Sequence, residues 1–134
     1  MQSKIPLSAY GHEGVEELRR FNKTTFKNYC NKKLSSVNKH IHFIRKNKPQ
    51  KYKGKVLEIG SGSGKLLFSM EKNNLISEGV GCEVSKSRSK FSNKFKKEFG
   101  IKKVKIENKN FLDLKLKKNY FDLVIGIDCV INYI

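Results

Sequence analysis

From Val15 to Ile44 the apolar positions return at helical intervals, through Val15, Leu18, Phe21, Phe26, Tyr29, Val37, Ile41 and Ile44, with lysine-rich positions between them. The pattern predicts two helical segments. Ser35-Ser36 interrupts it and is expected to cap the second segment, because a serine hydroxyl can accept from a free amide of the first turn. Lys48-Pro49 ends it, since a residue before proline is pushed out of the helical region. Together with a polar opening stretch that carries Pro6 and Gly11, residues 1–50 read as a helical cap.

After Lys53-Gly54 the pattern changes. Lys55–Ile59 is a short apolar run and predicts a strand. Leu66, Leu67 and Met70 predict a short helix that ends near Asn73-Asn74, and Gly79–Glu83 predicts a second strand. Ser85 is placed to cap a helix whose apolar face is Phe91, Phe95 and Phe99, with Gly100 as its stop. Val104–Glu107 predicts a third strand. "FDLVIGI", Phe121–Ile127, predicts a fourth that is apolar on both faces. Strands that alternate with helices and are almost continuously apolar imply a parallel sheet covered on both sides, an α/β architecture.

Composition narrows the class. The formal charge is +17 over 134 residues, which raises nucleic acid as a partner. Nearly all of the excess is lysine, spread along the chain and accompanied by frequent asparagine and isoleucine, a bias that an AT-rich genome produces by itself. No zinc-finger or RNA-recognition signature accompanies it, so nucleic acid is not the favoured partner. No apolar run approaches membrane-spanning length and no leader pattern opens the chain, so no membrane partner is expected and a cytoplasmic location is. Cys30, Cys82 and Cys129 are odd in number and far apart, and read as reduced thiols.

The candidate chemistry starts at "VLEIGSGSGK", Val56–Lys65, where a buried run opens into alternating glycines. Three ligands compete for such a turn. A phosphate-binding P-loop needs a glycine five positions before Gly64 and a hydroxyl after Lys65; Ile59 and Leu66 stand there instead. A dinucleotide fingerprint needs a small third residue where Lys65 or Leu67 falls, which makes NAD(P) the weaker choice. A nucleoside is the third candidate, and Glu58 puts an acid at the strand end, where a pyrophosphate prefers none.

The order Glu58-x-Gly60-x-Gly62-x-Gly64 resembles motif I of the class I, Rossmann-like S-adenosylmethionine-dependent methyltransferases. Further landmarks follow in the family's order. Glu83 ends the second strand nineteen positions after Gly64 and matches the acid that holds the adenosyl ribose in that family. Asn110 and Phe111 in "NKNFLDL" match the adenine-side pair, with Asn110 departing from the usual Asp. "NYFDLVIGIDCVINYI" resembles the fourth-strand motif and sets Asp128 just past the strand. The resemblance runs from about Lys53 to the last residue. It implies a cofactor, S-adenosyl-L-methionine, held by Glu58, Gly60, Ser61, Gly62, Gly64, Glu83, Asn110, Phe111 and Asp128.

What the resemblance implies for chemistry is methyl transfer to an unidentified acceptor, a small molecule being favoured. Asp128 is the candidate general base or acceptor-orienting group, with a structural role at the strand end as its competitor; Asn132 and Tyr133 are placed to line an acceptor pocket. His40 and His42 fall on different sides of a helix, unsuited to one metal, and His12 lies in the opening arm. The family's sheet has seven strands and this sequence supplies four. Residues 51–134 are therefore expected to be the N-terminal part of a cofactor-binding domain, truncated after the fourth strand, with that strand's outer edge bare. An NAD(P)-dependent oxidoreductase and a basic RNA-binding module on a similar sheet are the alternatives.

Overall fold

The computed structural model describes residues 22–48 and 53–127. Helix α1, Lys23–Ser36, begins at Asn22, whose side chain accepts from the Thr25 amide at 2.8 Å. Helix α2, Asn38–Asn47, follows after a single residue. That junction corrects the expected serine cap. The Ser36 hydroxyl donates back to the Lys33 carbonyl at 2.6 Å, inside α1, and Val37 takes the boundary position with no side-chain cap. Val37 is buried, so packing of an apolar wedge sets the break and not capping chemistry. Lys48 closes α2 in an extended conformation, as the following proline requires. The predicted helical positions Val15, Leu18 and Phe21 lie outside the described residues.

Strand β1, Gly54–Ile59, leads through the glycine turn into helix α3, Lys65–Lys72. Strand β2, Ile76–Cys82, begins three residues earlier than its apolar pattern suggested, because Ile76 is fully buried while Ser77 interrupts the run. Helix α4, Lys86–Glu98, starts at Ser85, whose hydroxyl accepts from the Arg88 amide at 3.3 Å. It stops at Gly100 as expected, with Gly100 at φ +62°. Strand β3 is Val104–Glu107, a 3-10 turn covers Phe111–Asp113, and strand β4 is Leu123–Gly126.

The sheet is parallel in the order β3-β2-β1-β4. Val56 sits opposite Gly79 on one side and Leu123 on the other, and Gly79 in turn opposes Val104, so one row of the sheet faces the helices. Gly79 is where the layers close most tightly. A methyl group there would stand 3.1 Å from Ile76 Cδ1, 3.2 Å from Val104 Cγ2 and 3.4 Å from Leu67 Cδ2 of α3. All four helices share one core with this face. Its centre is aromatic: Phe95 lies 5.0 Å from Phe68 and 5.4 Å from Phe99 between ring centroids. Phe26 and Tyr29 of α1 each reach Phe91 at 5.6 Å, which docks the N-terminal helices onto α4. Cys30 is buried in that core as a free thiol, pushed up to about 12 by burial and by Glu98, with Lys33 opposing.

The second face is built differently. Right-handed crossovers place α3 and α4 on one side as the chain steps from β1 to β2 to β3, so the return from β3 to β4 must cross the other side. There the only described helical piece is the three-residue 3-10 turn. Tyr120 anchors the crossing, its hydroxyl bonded to Glu78 and its ring beneath the Lys55 ammonium at 4.4 Å. Asp122 fixes the start of β4 by accepting from the Lys55 amide at 2.8 Å. Consequently β4 does not bury both faces as its apolar run suggested: Leu123 and Ile125 are half-buried towards the helices, while Val124 is 56% exposed. Among the described residues β4 pairs only with β1. No helix among them is long and apolar enough to cross a membrane.

Phe95→Ala is expected to destabilise the chain by about 3–5 kcal/mol, since it removes the centre of the aromatic cluster. Phe43→Ala, at a site 66% exposed, should stay within about 0.5 kcal/mol. Urea denaturation midpoints of the two variants check this ordering.

Candidate functional site

An open parallel sheet binds ligands at the carboxyl ends of its strands, where the connections diverge to opposite faces. Here that point is the end of β1, with α3 leaving towards one face and the β3–β4 connection crossing the other. The turn that follows β1 is held by β2. The amides of Gly60 and Ser61 both donate to the Cys82 carbonyl, at 2.9 and 3.0 Å. The Gly62 amide donates to Glu83 Oε1 at 2.9 Å. Gly64, at φ +84°, starts α3 with the Phe68 ring lying directly on it; a methyl group there would approach the ring to 2.6 Å.

A second glycine makes the approach of the two strand ends possible. At Gly81 an added methyl group would fall 2.7 Å from Ser61 Cβ and 2.8 Å from Ile106 Cδ1. The turn can therefore rest on β2 only because Gly81 has no side chain. Gly62, by contrast, faces open space, with nothing within 4 Å of its missing methyl position.

The two acids of the site are equally buried, each 5% exposed, and are treated in opposite ways. Glu83 is fully engaged: Oε1 accepts from Gly62 and Oε2 accepts from the Ser85 amide at 2.7 Å. Its backbone carbonyl accepts from Asn108 Nδ2 at 2.8 Å, which ties the end of β3 to the end of β2. Glu58 is not satisfied in this way. Its Oε1 is buried with no hydrogen-bond partner among the described residues, and the same is true of Ser61 Oγ. Burial pushes the Glu58 carboxyl up to about 8; Lys65 pulls against that and Glu83 adds to it.

Glu58 and Ser61 both line a cleft of about 350 Å³. Its lining joins Glu58, Ser61 and Lys65 from the turn region to Lys33 of α1, His40 of α2 and Arg88 of α4. Residues 22–48 hold eight lysines and arginines and no acid, so the helical wall of the cleft is cationic while its floor carries the carboxylate.

Glu58, Gly60, Ser61 and Gly62 are thus brought together as the sequence indicated, with Gly64 beneath them and Glu83 behind the turn. Asn110 and Phe111 do not line this cleft. Asn110 Oδ1 accepts from the Leu112 amide at 3.1 Å and so caps the 3-10 turn. Asp128, Asn132, Tyr133, His12 and Cys129 lie outside the described residues. Sequence reasoning missed Lys33, His40 and Arg88, which arrive from three separate helices, and it missed Asn108. The first of these carry no local signal; Asn108 could have been suspected from its position one residue past β3.

Known proteins resemble this chain in sequence profile and in fold. The profile of a family described as a methyltransferase domain matches residues 50–134. Among solved structures, a candidate S-adenosyl-L-methionine-dependent methyltransferase from Methanococcus maripaludis is 20% identical with a TM-score of 0.63, covering 84% of this chain and 53% of that one. A methyltransferase from Thiobacillus denitrificans, solved with S-adenosyl-L-homocysteine, is 17% identical with a TM-score of 0.58 over 94% of this chain and 45% of that one. One from Geobacter sulfurreducens, solved with the same compound, is 17% identical with a TM-score of 0.57 over 75% and 37%. This chain spans about half or less of the length of these structures. No curated protein sequence matches it.

Two outcomes test the site. Gly81→Ala should cost about 1–3 kcal/mol, as overpacking against Ser61 and Ile106, read by urea denaturation. Glu58 gives a pH signature. A carboxyl raised in the folded state binds its proton more tightly there than in the unfolded chain. Its contribution to stability is therefore full below the ordinary value of 4.5 and is lost as the pH climbs through about 8. Glu58→Gln cannot ionise, so its melting temperature should gain on the wild type steadily across that window.

Proposed function

Since the chain belongs to the methyltransferase-domain family, we propose that it binds S-adenosyl-L-methionine at the ends of β1 and β2 and takes part in methyl transfer to an acceptor not yet identified. The observation that carries this reading is the open pair Glu58 Oε1 and Ser61 Oγ. Two buried oxygens without partners belong to residues that line one cleft, beside a glycine turn with open space at Gly62. A ligand that carries hydrogen-bond donors, such as an ammonium group, answers that need.

When bound, the cofactor supplies a methyl group already activated on a sulfonium. The chain's own residues then have to bind, orient and exclude water. Glu58 and Ser61 offer acceptors to an ammonium group. Lys33, Lys65 and Arg88 offer countercharge to a carboxylate. Glu83 would serve the ribose hydroxyls. Each of its oxygens already takes one amide proton and keeps a further lone pair, so the acid is aimed by the backbone before the ligand arrives. Leu66, Val37 and Ile127 give the cleft its apolar lining. Asn110 and Phe111 are assigned to the adenine side, and Asp128 to the acceptor as orienting group or base, on the family resemblance alone.

The acceptor is favoured to be a small molecule, because no nucleic-acid signature accompanies the basic residues. Titration calorimetry with S-adenosyl-L-homocysteine and, separately, NAD tests the cofactor assignment. Binding of the first and not the second is expected. Glu83→Ala should weaken that binding about 10- to 100-fold, the worth of charged hydrogen bonds to the sugar. Affinity unchanged in a folded Glu83→Ala variant would remove the ribose assignment.

A further inference from the structure

We propose that Glu58 holds a proton in the free cleft and gives it up when an ammonium-bearing ligand enters, so that cofactor binding by this chain is coupled to proton release at neutral pH. The inference rests on the cofactor reading above and adds to it.

The geometry sets the terms. Glu58 projects from the last turn-facing position of β1, with fully buried Val56 two residues before it on the same face and Leu66 of α3 nearby in the cleft lining. It is 5% exposed, and its Oε1 receives no hydrogen bond from any described residue. An ionised carboxylate in that position loses its water and gains nothing at that oxygen, which is costly. Glu83 shows the alternative solution a few residues away, because at the same exposure each of its oxygens receives a backbone amide. The turn spends the amides of Gly60 and Ser61 on the Cys82 carbonyl and that of Gly62 on Glu83, so those three donors are not aimed at Glu58.

Among the described residues, the titratable and charged groups near Glu58 come from the four helices and from the end of β2, while its β4 neighbour in the sheet is Ile125. Lys65 at the start of α3 favours ionisation, and Glu83 beyond β2 opposes it. Lys33 of α1, His40 of α2 and Arg88 of α4 border the same cleft from the helical side. Burial outweighs the nearest cation, and the carboxyl is pushed up to about 8. Near pH 7 the Glu58 carboxyl of the free cleft is therefore held mostly in its protonated form.

An ammonium changes the balance. It would bring a full positive charge and hydrogen-bond donors to the cleft that Glu58 lines, and Ser61, whose Oγ also lacks a partner, lines the same cleft. The exchange balances without any further reactant: the carboxylic acid and the ligand ammonium become a carboxylate–ammonium pair, and one proton passes to the solvent. A ligand with the nucleoside but no ammonium gives no such return and leaves the proton in place.

Titration calorimetry at pH 7 in phosphate and in Tris, buffers of very different ionisation enthalpy, counts the protons. S-adenosyl-L-homocysteine should release close to one proton per molecule bound. 5′-Methylthioadenosine, which lacks the amino-acid portion, should release almost none. Glu58→Gln should bind S-adenosyl-L-homocysteine with no buffer dependence. Binding of S-adenosyl-L-homocysteine to the wild type without proton release overturns the coupling and leaves the cofactor reading standing. Equal release by the two ligands, or undiminished release in Glu58→Gln, also overturns it. If neither ligand binds at all, the cofactor reading falls and the coupling falls with it. Should Glu58→Gln fail to fold, the two-ligand comparison on the wild type decides the matter alone.

Discussion

The contact on which this structure depends is the capture of the glycine turn by the end of β2. The Cys82 carbonyl takes two amides of the turn and the Glu83 carboxylate takes a third. Everything at the site is positioned by that grip. It sets where α3 begins, how far Ser61 is pressed onto the sheet and which way the open side of Gly62 faces. The grip is possible because Gly81 leaves no side chain between the two strand ends. It is reinforced from the far side by Asn108, which bonds the Glu83 and Val84 carbonyls and so couples β3 to the same corner.

From this corner follows the division between the two acids. A buried carboxylate is tolerable when backbone amides surround it, and Glu83 has them. Once the turn amides are committed to β2, Glu58 Oε1 is left without a donor. The same hydrogen bonds that make Glu83 a rigid fixture therefore leave Glu58 Oε1 unsatisfied. One acid fixes the turn and the other keeps an unpartnered oxygen, and neither state belongs to the residue type itself.

The layering of the fold has a similar logic. One face of the sheet is sealed by four helices around Phe68, Phe91 and Phe95, and the N-terminal helices enter that core through Phe26 and Tyr29 and so form one body with the sheet. The other face is crossed by a connection pinned at Tyr120 and Asp122, with Val124 standing exposed beyond it. The apolar run of β4 announced burial on both sides, but a strand's apolar pattern describes what it can bury, not what the described chain supplies to cover it. The serine pair before α2 misled for a related reason. A serine hydroxyl can satisfy either a following amide or a preceding carbonyl, and Ser36 chose the carbonyl because Val37 needed the junction for its own burial.

Strand and helix order, the glycine turn, the Ser85 cap and the Gly100 stop were legible in the sequence, because each depends on residues within one or two turns of each other. So was the placement of Glu58 and Glu83 at strand ends, since a strand pattern that breaks into glycine or serine marks its own terminus. The partners of those acids were not legible. Gly62 and Glu83 are twenty-one positions apart, Asn108 and Glu83 twenty-five, and Lys33, His40 and Arg88 reach the cleft from three helices. Hydrogen bonding and desolvation depend on distance in space, so only the folded chain could decide which carboxylate is satisfied and which is left open.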